Sequence, residues 1–304
     1  MKPRTPDIRN LSILTVMIAL MASAGPLGAQ VIDDTEKLDW DRPEAWAMKY
    51  FNSVSLLTGM GAPQARRTWS FEIGLELDTI PQLSEDQRRI GFGGAKVEDL
   101  NRLPVFFRPR VTIGLPAKFS LDVAWVPPVK LQGLTTNLFS IGLERPFYSA
   151  GALVLGGRIY GQIGTIKGDF TCTEDEASYP PGPPNNIWGC EAPSSDELSL
   201  NYVGLAFTGG YTVKKTTFHW GLAANYMDME FQVNALTDGI EDRSLLLADG
   251  WTWSISGGAS WKLSKRFSIA GEIFYSPLSV VRPPSTESEN DGLFNLRTML
   301  RILL

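Results

Sequence analysis

Few side chains here are equipped for covalent or metal chemistry: the chain holds one histidine, His219, and two cysteines, Cys172 and Cys190. A lone imidazole cannot supply a histidine-rich zinc site, and any serine–histidine–acid triad would have to be built around this one position. His219 follows the polar stretch Lys214-Lys215-Thr216, which reads as a turn and sets the imidazole at the rim of the next element. The run Gly91-Phe92-Gly93-Gly94-Ala95-Lys96 has the glycines of a phosphate cradle, but lacks the spacing of a P-loop and a helix pattern after it. It reads as a loop tip, after a capping box at Ser84 and Gln87. No catalytic residue, metal-ligand set or cofactor is assigned.

What the sequence does carry is charge at regular positions. Glu72, Glu76, Arg108, Arg110, Asp122, Glu144, Arg158, Arg297 and Arg301 each fall on the polar phase of a stretch that alternates apolar with polar or small residues. Such charges can pair with one another or line a passage that selects solutes by charge; their signs nearly balance, which favours pairing. The common spacing of Glu72/Glu76 and Arg297/Arg301 suits two antiparallel strands side by side. Arg108 and Arg110 would flank the same carboxylates from the other side.

These positions need strands to hold them. Trp69, Phe71, Ile73, Leu75 and Leu77 alternate with Ser70, Glu72, Gly74 and Glu76, and the pattern returns from Phe119 to Trp125 and from Trp251 to Trp261. A period of two marks a strand with one apolar and one polar face. Reading the whole chain this way predicts ten strands, at 67–78, 104–115, 119–127, 136–145, 152–166, 200–213, 217–232, 251–263, 266–276 and 293–304. Their connections alternate in length. Pro116-Ala117-Lys118, Arg145 to Gly151, Lys214-Lys215-Thr216 and Ser264-Lys265 are short, whereas 79–103, 128–135, 167–199, 233–250 and 277–292 are longer and polar. Aromatic residues stand at two levels, Trp69, Phe119, Trp220 and Trp261 near short turns and Trp125, Tyr226, Trp251 and Tyr275 near long loops. A soluble β-sandwich also alternates, but has no reason to alternate connection lengths or to place aromatics in two girdles.

On these residues the stretch 67–304 resembles a bacterial outer-membrane up-and-down β-barrel: all-β, antiparallel and transmembrane, an architecture and not a functional family. The resemblance implies short turns and both chain ends on the periplasmic side, long loops outside, and an alternating last strand. Phe294, Leu296, Thr298, Leu300, Ile302 and Leu304 keep that alternation but end in leucine where such barrels usually end in an aromatic. Ten-stranded proteases of the omptin kind use a histidine and carboxylates at the outer rim, the opposite end from His219, so no enzyme is expected. The partners implied are outer-membrane lipid and lipopolysaccharide, the barrel-assembly machinery and a small solute.

Export fits this reading. Lys2, Arg4 and Arg9 precede an uncharged stretch over 11–25, followed by small-residue cleavage options at Ala22-Ser23-Ala24 and Leu27-Gly28-Ala29. This is the layout of a secretory signal peptide over 1–29, shorter than the roughly 20 apolar residues of a spanning helix. Its removal takes the net charge from −5 to about −7, so no basic nucleic-acid footprint is present. In an oxidising compartment Cys172 and Cys190 are expected to pair. With Pro180-Pro181-Gly182-Pro183-Pro184 they would stiffen the loop 167–199, either as a lid or as a solvated, protease-resistant loop.

Between signal and barrel lies the segment 30–66. Asp41 and Pro43 open a helix near 43–58, with Trp46, Tyr50, Val54 and Leu57 along one face. Tethered to the periplasmic end of the first strand, it can lie on the membrane surface or plug the barrel, where inward Gly204, Ala206, Gly210, Gly221 and Ala223 leave room. Two functions are compatible with these features. One is a narrow or gated channel for small solutes; the other is a surface barrel whose loops bind a partner or brace the membrane.

Overall fold

The alternating segments form ten antiparallel strands: β1 (Phe71–Thr79), β2 (Val105–Gly114), β3 (Ser120–Leu131), β4 (Leu134–Ala150), β5 (Leu153–Gly168), β6 (Asp196–Val213), β7 (Thr216–Gln232), β8 (Leu245–Lys262), β9 (Phe267–Ser276) and β10 (Leu293–Leu303). The computed structural model describes residues 30–304, so the signal peptide read over 1–29 lies outside the described residues. Each strand pairs with its chain neighbour, and β10 pairs with β1 from Leu303 opposite Glu72 to Arg297 opposite Asp78. That last pairing closes the sheet on itself, which satisfies the backbone groups a bilayer cannot. No helix among the described residues is long and apolar enough to cross a membrane.

The outward phase is apolar and bare. Ile73, Leu75, Leu205, Leu222, Ile255 and Leu296, spread around the wall, are between 45% and 60% exposed. A continuous belt of this kind exceeds the few hundred Å² of apolar patch that a water-soluble monomer tolerates. In hydrocarbon it is the solvated face, and the fold is a transmembrane barrel of the bacterial outer-membrane type.

β1 begins at Phe71 and not at 67, and β6 already at Asp196 and not at 200; three further departures from the sequence reading have a local reason. β3 and β4 meet in a tight hairpin at Gln132-Gly133, both at positive φ (46° and 84°), and not in a long loop over 128–135. Pro127-Pro128 gives the impression of a loop, but sits where the β3–β4 register shifts between Val126 and Val129, a bulge that spares the missing N–H. Likewise β4 continues to Ala150 through an irregularity between Pro146 and Tyr148, leaving Gly151-Ala152 as the turn. β8 begins at Leu245, so the connection before it shortens to 233–244.

The largest departure concerns the chain ahead of the barrel. Gln30–Ile32 pairs in parallel with Ile240–Asp242, in the connection between β7 and β8, and Thr35–Lys37 pairs with Leu245–Leu247 at the long-loop end of β8. The helix α1 (Pro43–Val54) sits in the long-loop mouth: Trp46 Nε1 donates to Asp291 O (2.9 Å) and Tyr50 Oη to Pro81 O (2.8 Å), both in long connections. Residues 55–66 then descend through the lumen to the short-turn end, where Ser120 Oγ donates to Gln64 O (3.2 Å) and Arg66 reaches Glu72. Residue 30 therefore lies at the opposite end of the barrel from Leu303, where an even strand count had placed both ends together.

The helix itself differs in two details. Arg42, not Asp41, is the N-cap and makes no side-chain cap bond; Pro43, with its preset φ and no N–H, makes the helix start without one. It also stops at Val54, short of 58, because the following carbonyls turn outward to the barrel wall. Trp46, Tyr50, Val54 and Leu57 are each 4% exposed or less and pack with Leu138, Leu200, Met227, Met229 and Phe274.

Candidate functional site

The last carbonyls of a helix have no intrahelical partners and carry the negative end of its dipole. In this barrel four wall arginines meet the carbonyls at and beyond the end of α1. Arg297, from β10, donates from Nη1 to Leu56 O (2.6 Å) and from Nη2 to Ser53 O (3.2 Å). Arg108 Nη1 reaches Ser55 O (2.7 Å), Arg110 Nη1 reaches Thr58 O (2.9 Å), and Arg301 Nη2 donates to Met60 O. The threaded segment answers with donors of its own: Leu57 N to Tyr202 Oη (2.8 Å) and Thr58 Oγ1 to Glu272 Oε1 (2.7 Å). The descending chain is held by hydrogen bonds from charged groups, stronger than neutral ones.

The nine charges read from the sequence all point away from lipid, and their partners are now defined. Glu76 accepts from Arg108 Nη2 (2.8 Å) and from Arg110; Asp122 accepts from Arg158 and Thr112. Glu72 lies 3.4 Å from Arg301 and is gripped at 2.9 and 3.0 Å by Arg66 of the threaded segment. Glu144 accepts from Thr208 Oγ1 (3.3 Å). The seam between β10 and β1 is registered differently from the simple ladder: Met299 stands opposite Glu76, and Arg297 opposite Asp78 at 4.0 Å. Asp78 and Glu272 are buried on the wall as well, and both sit on the polar phase of their strands, the signal that would have found them.

Three glycines of the wall are the imprint of the threaded segment. A Cβ on Gly210 would lie 2.2 Å from Ala62 Cβ, one on Gly156 2.6 Å from Pro63 Cβ, and one on Gly250 3.0 Å from the Trp40 ring. Of the glycines read as leaving room, Gly210 is thus filled by the threaded segment, whereas Gly204 makes room for Tyr160 and Asn225 of the wall and Gly221 faces Ser256. His219 lies buried in the short-turn half, its Nε2 3.4 Å from Glu272 Oε2, the carboxylate whose Oε1 accepts from Thr58 Oγ1.

At the mouth the packing is incomplete. A cavity of about 340 Å³ opens beside α1. Ala47, Met48 and Phe51 of the helix, with Phe170, Leu198 and Phe231, form its apolar walls. Polar groups stand at its rim: Arg42 pairs with Glu36 and, at 3.1 Å, with Glu44, while Glu98 and Asp242 line it separately. The size and the apolar lining with few polar groups are those of small-molecule sites.

Two long loops roof this cavity and are fastened to each other. The capping box of Ser84 and Gln87 starts a turn of helix (Glu85–Arg88), after which the glycine-rich tip bends back, with Phe92 at φ 52° and Gly93 at φ 67°. Gly93 N donates to Glu44 Oε1 (2.7 Å), tying the tip to α1. Phe92 stacks on Trp188 at 4.8 Å between centroids, and Trp188 belongs to the loop closed by the Cys172–Cys190 disulfide. Below them the buried Lys96 ammonium lies 3.1 Å from Glu98 and 3.4 Å from Glu176 of the disulfide loop. Burial pushes the Glu98 carboxyl up to about 7 despite that ammonium. The cavity and its roof escape sequence reading because they join positions far apart in the chain. No group of three or more histidine, cysteine or acidic residues among the described residues is placed to hold a metal ion.

No protein-family model and no curated protein matches this chain. Among solved structures it is similar to the outer-membrane protease OmpT of Escherichia coli, at 11% identity and a TM-score of 0.38, over 78% of this chain and 94% of that one. It is also similar to an outer-membrane channel of Pseudomonas putida F1 (8% identity, TM-score 0.37, 82% and 100% covered) and to the attachment invasion locus protein Ail of Yersinia pestis (11%, 0.26, 78% and 100%). At these values the likenesses carry no residue role or activity to this chain. Its architecture rests on its own strand pairing: a closed ten-stranded antiparallel barrel of the outer-membrane type with a helix in its mouth.

Proposed function

We propose that this chain is a gated outer-membrane channel, exported by its N-terminal signal, in which residues 30–66 act as the plug and a small, largely apolar molecule is captured at the outer mouth. One observation carries the reading: the element that closes the lumen also walls the cavity. Ala47, Met48 and Phe51 face the cavity, and the C-terminal end of the same helix is held by Arg297 and Arg108. A molecule entering the cavity thus acts directly on the plug. The wall that would be left if the plug withdrew carries Arg108, Arg110, Asp122, Glu144, Arg158 and Arg301, a charged stretch compatible with water, together with the apolar Leu138, Leu200, Met227, Met229 and Phe274 that pack with α1.

Planar-bilayer recording tests this. The full chain is expected to remain closed, and the chain lacking residues 30–66 to give discrete conductance steps; silence from both would remove the channel reading. The second reading is a non-transport surface barrel. The fastening of the disulfide loop to its neighbour through Phe92 and Trp188 supports it, since rigid outer loops suit a partner. No catalytic role is proposed for His219 or any other residue.

A further inference from the structure

The mouth cavity has an apolar body, and the charged groups lining it are predominantly of one sign. Four carboxylates, Glu36, Glu44, Glu98 and Asp242, line it against a single cation, Arg42. That cation is already committed to Glu36 and Glu44, so it is not free to receive an anionic ligand. Asp242 is answered by Ser244, at 2.9 Å from the backbone N and 2.6 Å from Oγ, and Glu98 by Lys96. Glu44 differs. Its Oε1 accepts from Gly93 N and Arg42, whereas its Oε2, fully enclosed, has no hydrogen-bond partner. An enclosed carboxylate oxygen without a donor is costly to maintain; Oε2 is closed off in the empty cavity, so a donor reaches it only when the carboxylate or the Gly93 tip shifts, and would then remove that cost.

From this arrangement we infer that the captured molecule is a cationic amphiphile: a compact aliphatic or aromatic body carrying an ammonium group, with the ammonium at the Glu44 carboxylate. The body lies between Met48 and Phe51 on one side and Leu198 and Phe231 on the other. Selectivity for the head comes from the charge-assisted hydrogen bond to Glu44 and from the excess of acid at the rim. Affinity comes from the tail, each buried methylene tightening binding about fourfold. This inference rests on the proposal that the cavity takes a ligand, and adds the sign of that ligand.

The test uses the full chain in lipid nanodiscs and three water-soluble probes with one tail, hexylamine, hexanol and hexanoate. Binding is measured by calorimetry at pH 8 against empty nanodiscs. Hexylamine is expected to bind at least about tenfold tighter than hexanol, with hexanoate weakest. In Glu44→Gln the advantage of the amine over the alcohol should shrink to within about twofold, while alcohol binding persists. Equal binding of all three probes, or tightest binding of hexanoate, overturns the cationic assignment while leaving a ligand site in place. Failure of all three to bind removes the ligand site itself. Because the ranking is read on the unaltered chain, the inference stays testable even if Glu44→Gln disturbs the Gly93 contact.

Discussion

Replacing Arg297 with methionine should release the plug without opening the barrel wall. The guanidinium is fully buried, bonds to Leu56 O and Ser53 O, receives the Phe274 ring at 3.8 Å and stands 4.0 Å from Asp78. Neither Asp78 oxygen has a hydrogen-bond partner, so Arg297 is the cation nearest to a carboxylate with nothing else directed at it. Methionine keeps the apolar stem but leaves Asp78 without that cation, Leu56 O without its donor, and Ser53 O with only the long bond from Leu56 N (3.4 Å). Breaking a buried pair from one side costs about 3–5 kcal/mol, a shift of roughly a few hundred- to a few thousand-fold in the ratio of seated to released plug. Hydrogen exchange followed by mass spectrometry reads this directly: amides over 45–60 should exchange faster by a factor of that order, and those of β1 and β10 should keep their protection. Adding Asp78→Asn should recover part of the loss. If plug amides in Arg297→Met exchange as slowly as in the parent, the arginine grip does not hold the plug. If barrel and plug loosen together, Arg297 is a wall residue and not a clamp.

Other expectations follow from the same geometry. Gly210→Leu forces a side chain into the place of Ala62, an overpacking cost of about 1–3 kcal/mol; conductance should rise while the barrel stays resistant to heat in detergent, and the added Ala62→Gly should lower it again. Removing the disulfide by Cys172→Ser with Cys190→Ser should cost the loop about 3 kcal/mol of constraint, so that limited proteolysis cuts within 173–189 while the strands survive. The Glu98 carboxyl titrates near 7 in the folded loop, above its value in the unfolded chain. The folded form thus holds a proton that the unfolded form has lost between about pH 4.5 and 7, and the roof gains protection as pH falls through that window and loses it as pH rises. Exchange of the hairpin over 88–98 should slow between pH 8 and 5 after correction for intrinsic rates, and Glu98→Gln should flatten the dependence.

The barrel is legible in the sequence because lipid enforces a strict alternation: Ile73 and Leu75 must be apolar and Glu72 and Glu76 must turn away. Tight hairpins broken by proline are not, since Pro127-Pro128 at a bulge and Pro127-Pro128 in a loop look alike. Register is also hidden. The spacing of Arg297 and Arg301 fits more than one alignment against β1, and only closure of the whole sheet sets Arg297 opposite Asp78 rather than Glu76. Least visible is the threaded segment. Ser53, Ser55, Leu56 and Met60 take part through backbone carbonyls, which every residue possesses, so no side-chain pattern announces them. The glycines of the wall are its nearest trace, and they read equally well as empty space. The mouth cavity leaves no local mark because α1 and Phe92, Phe170, Leu198 and Phe231 come from separate stretches of the chain.

Surface labelling of epitopes on intact cells tests most directly whether the chain threads its own barrel. An epitope placed between the exposed Asp33 and Asp34 should be reached by antibody without permeabilising the outer membrane, together with one at Gly182 of the disulfide loop, while an epitope between Lys214 and Lys215 stays hidden until the membrane is opened. If the Asp33–Asp34 epitope is instead revealed only along with that at Lys214, residues 30–37 lie on the short-turn side and the threaded lumen is contradicted.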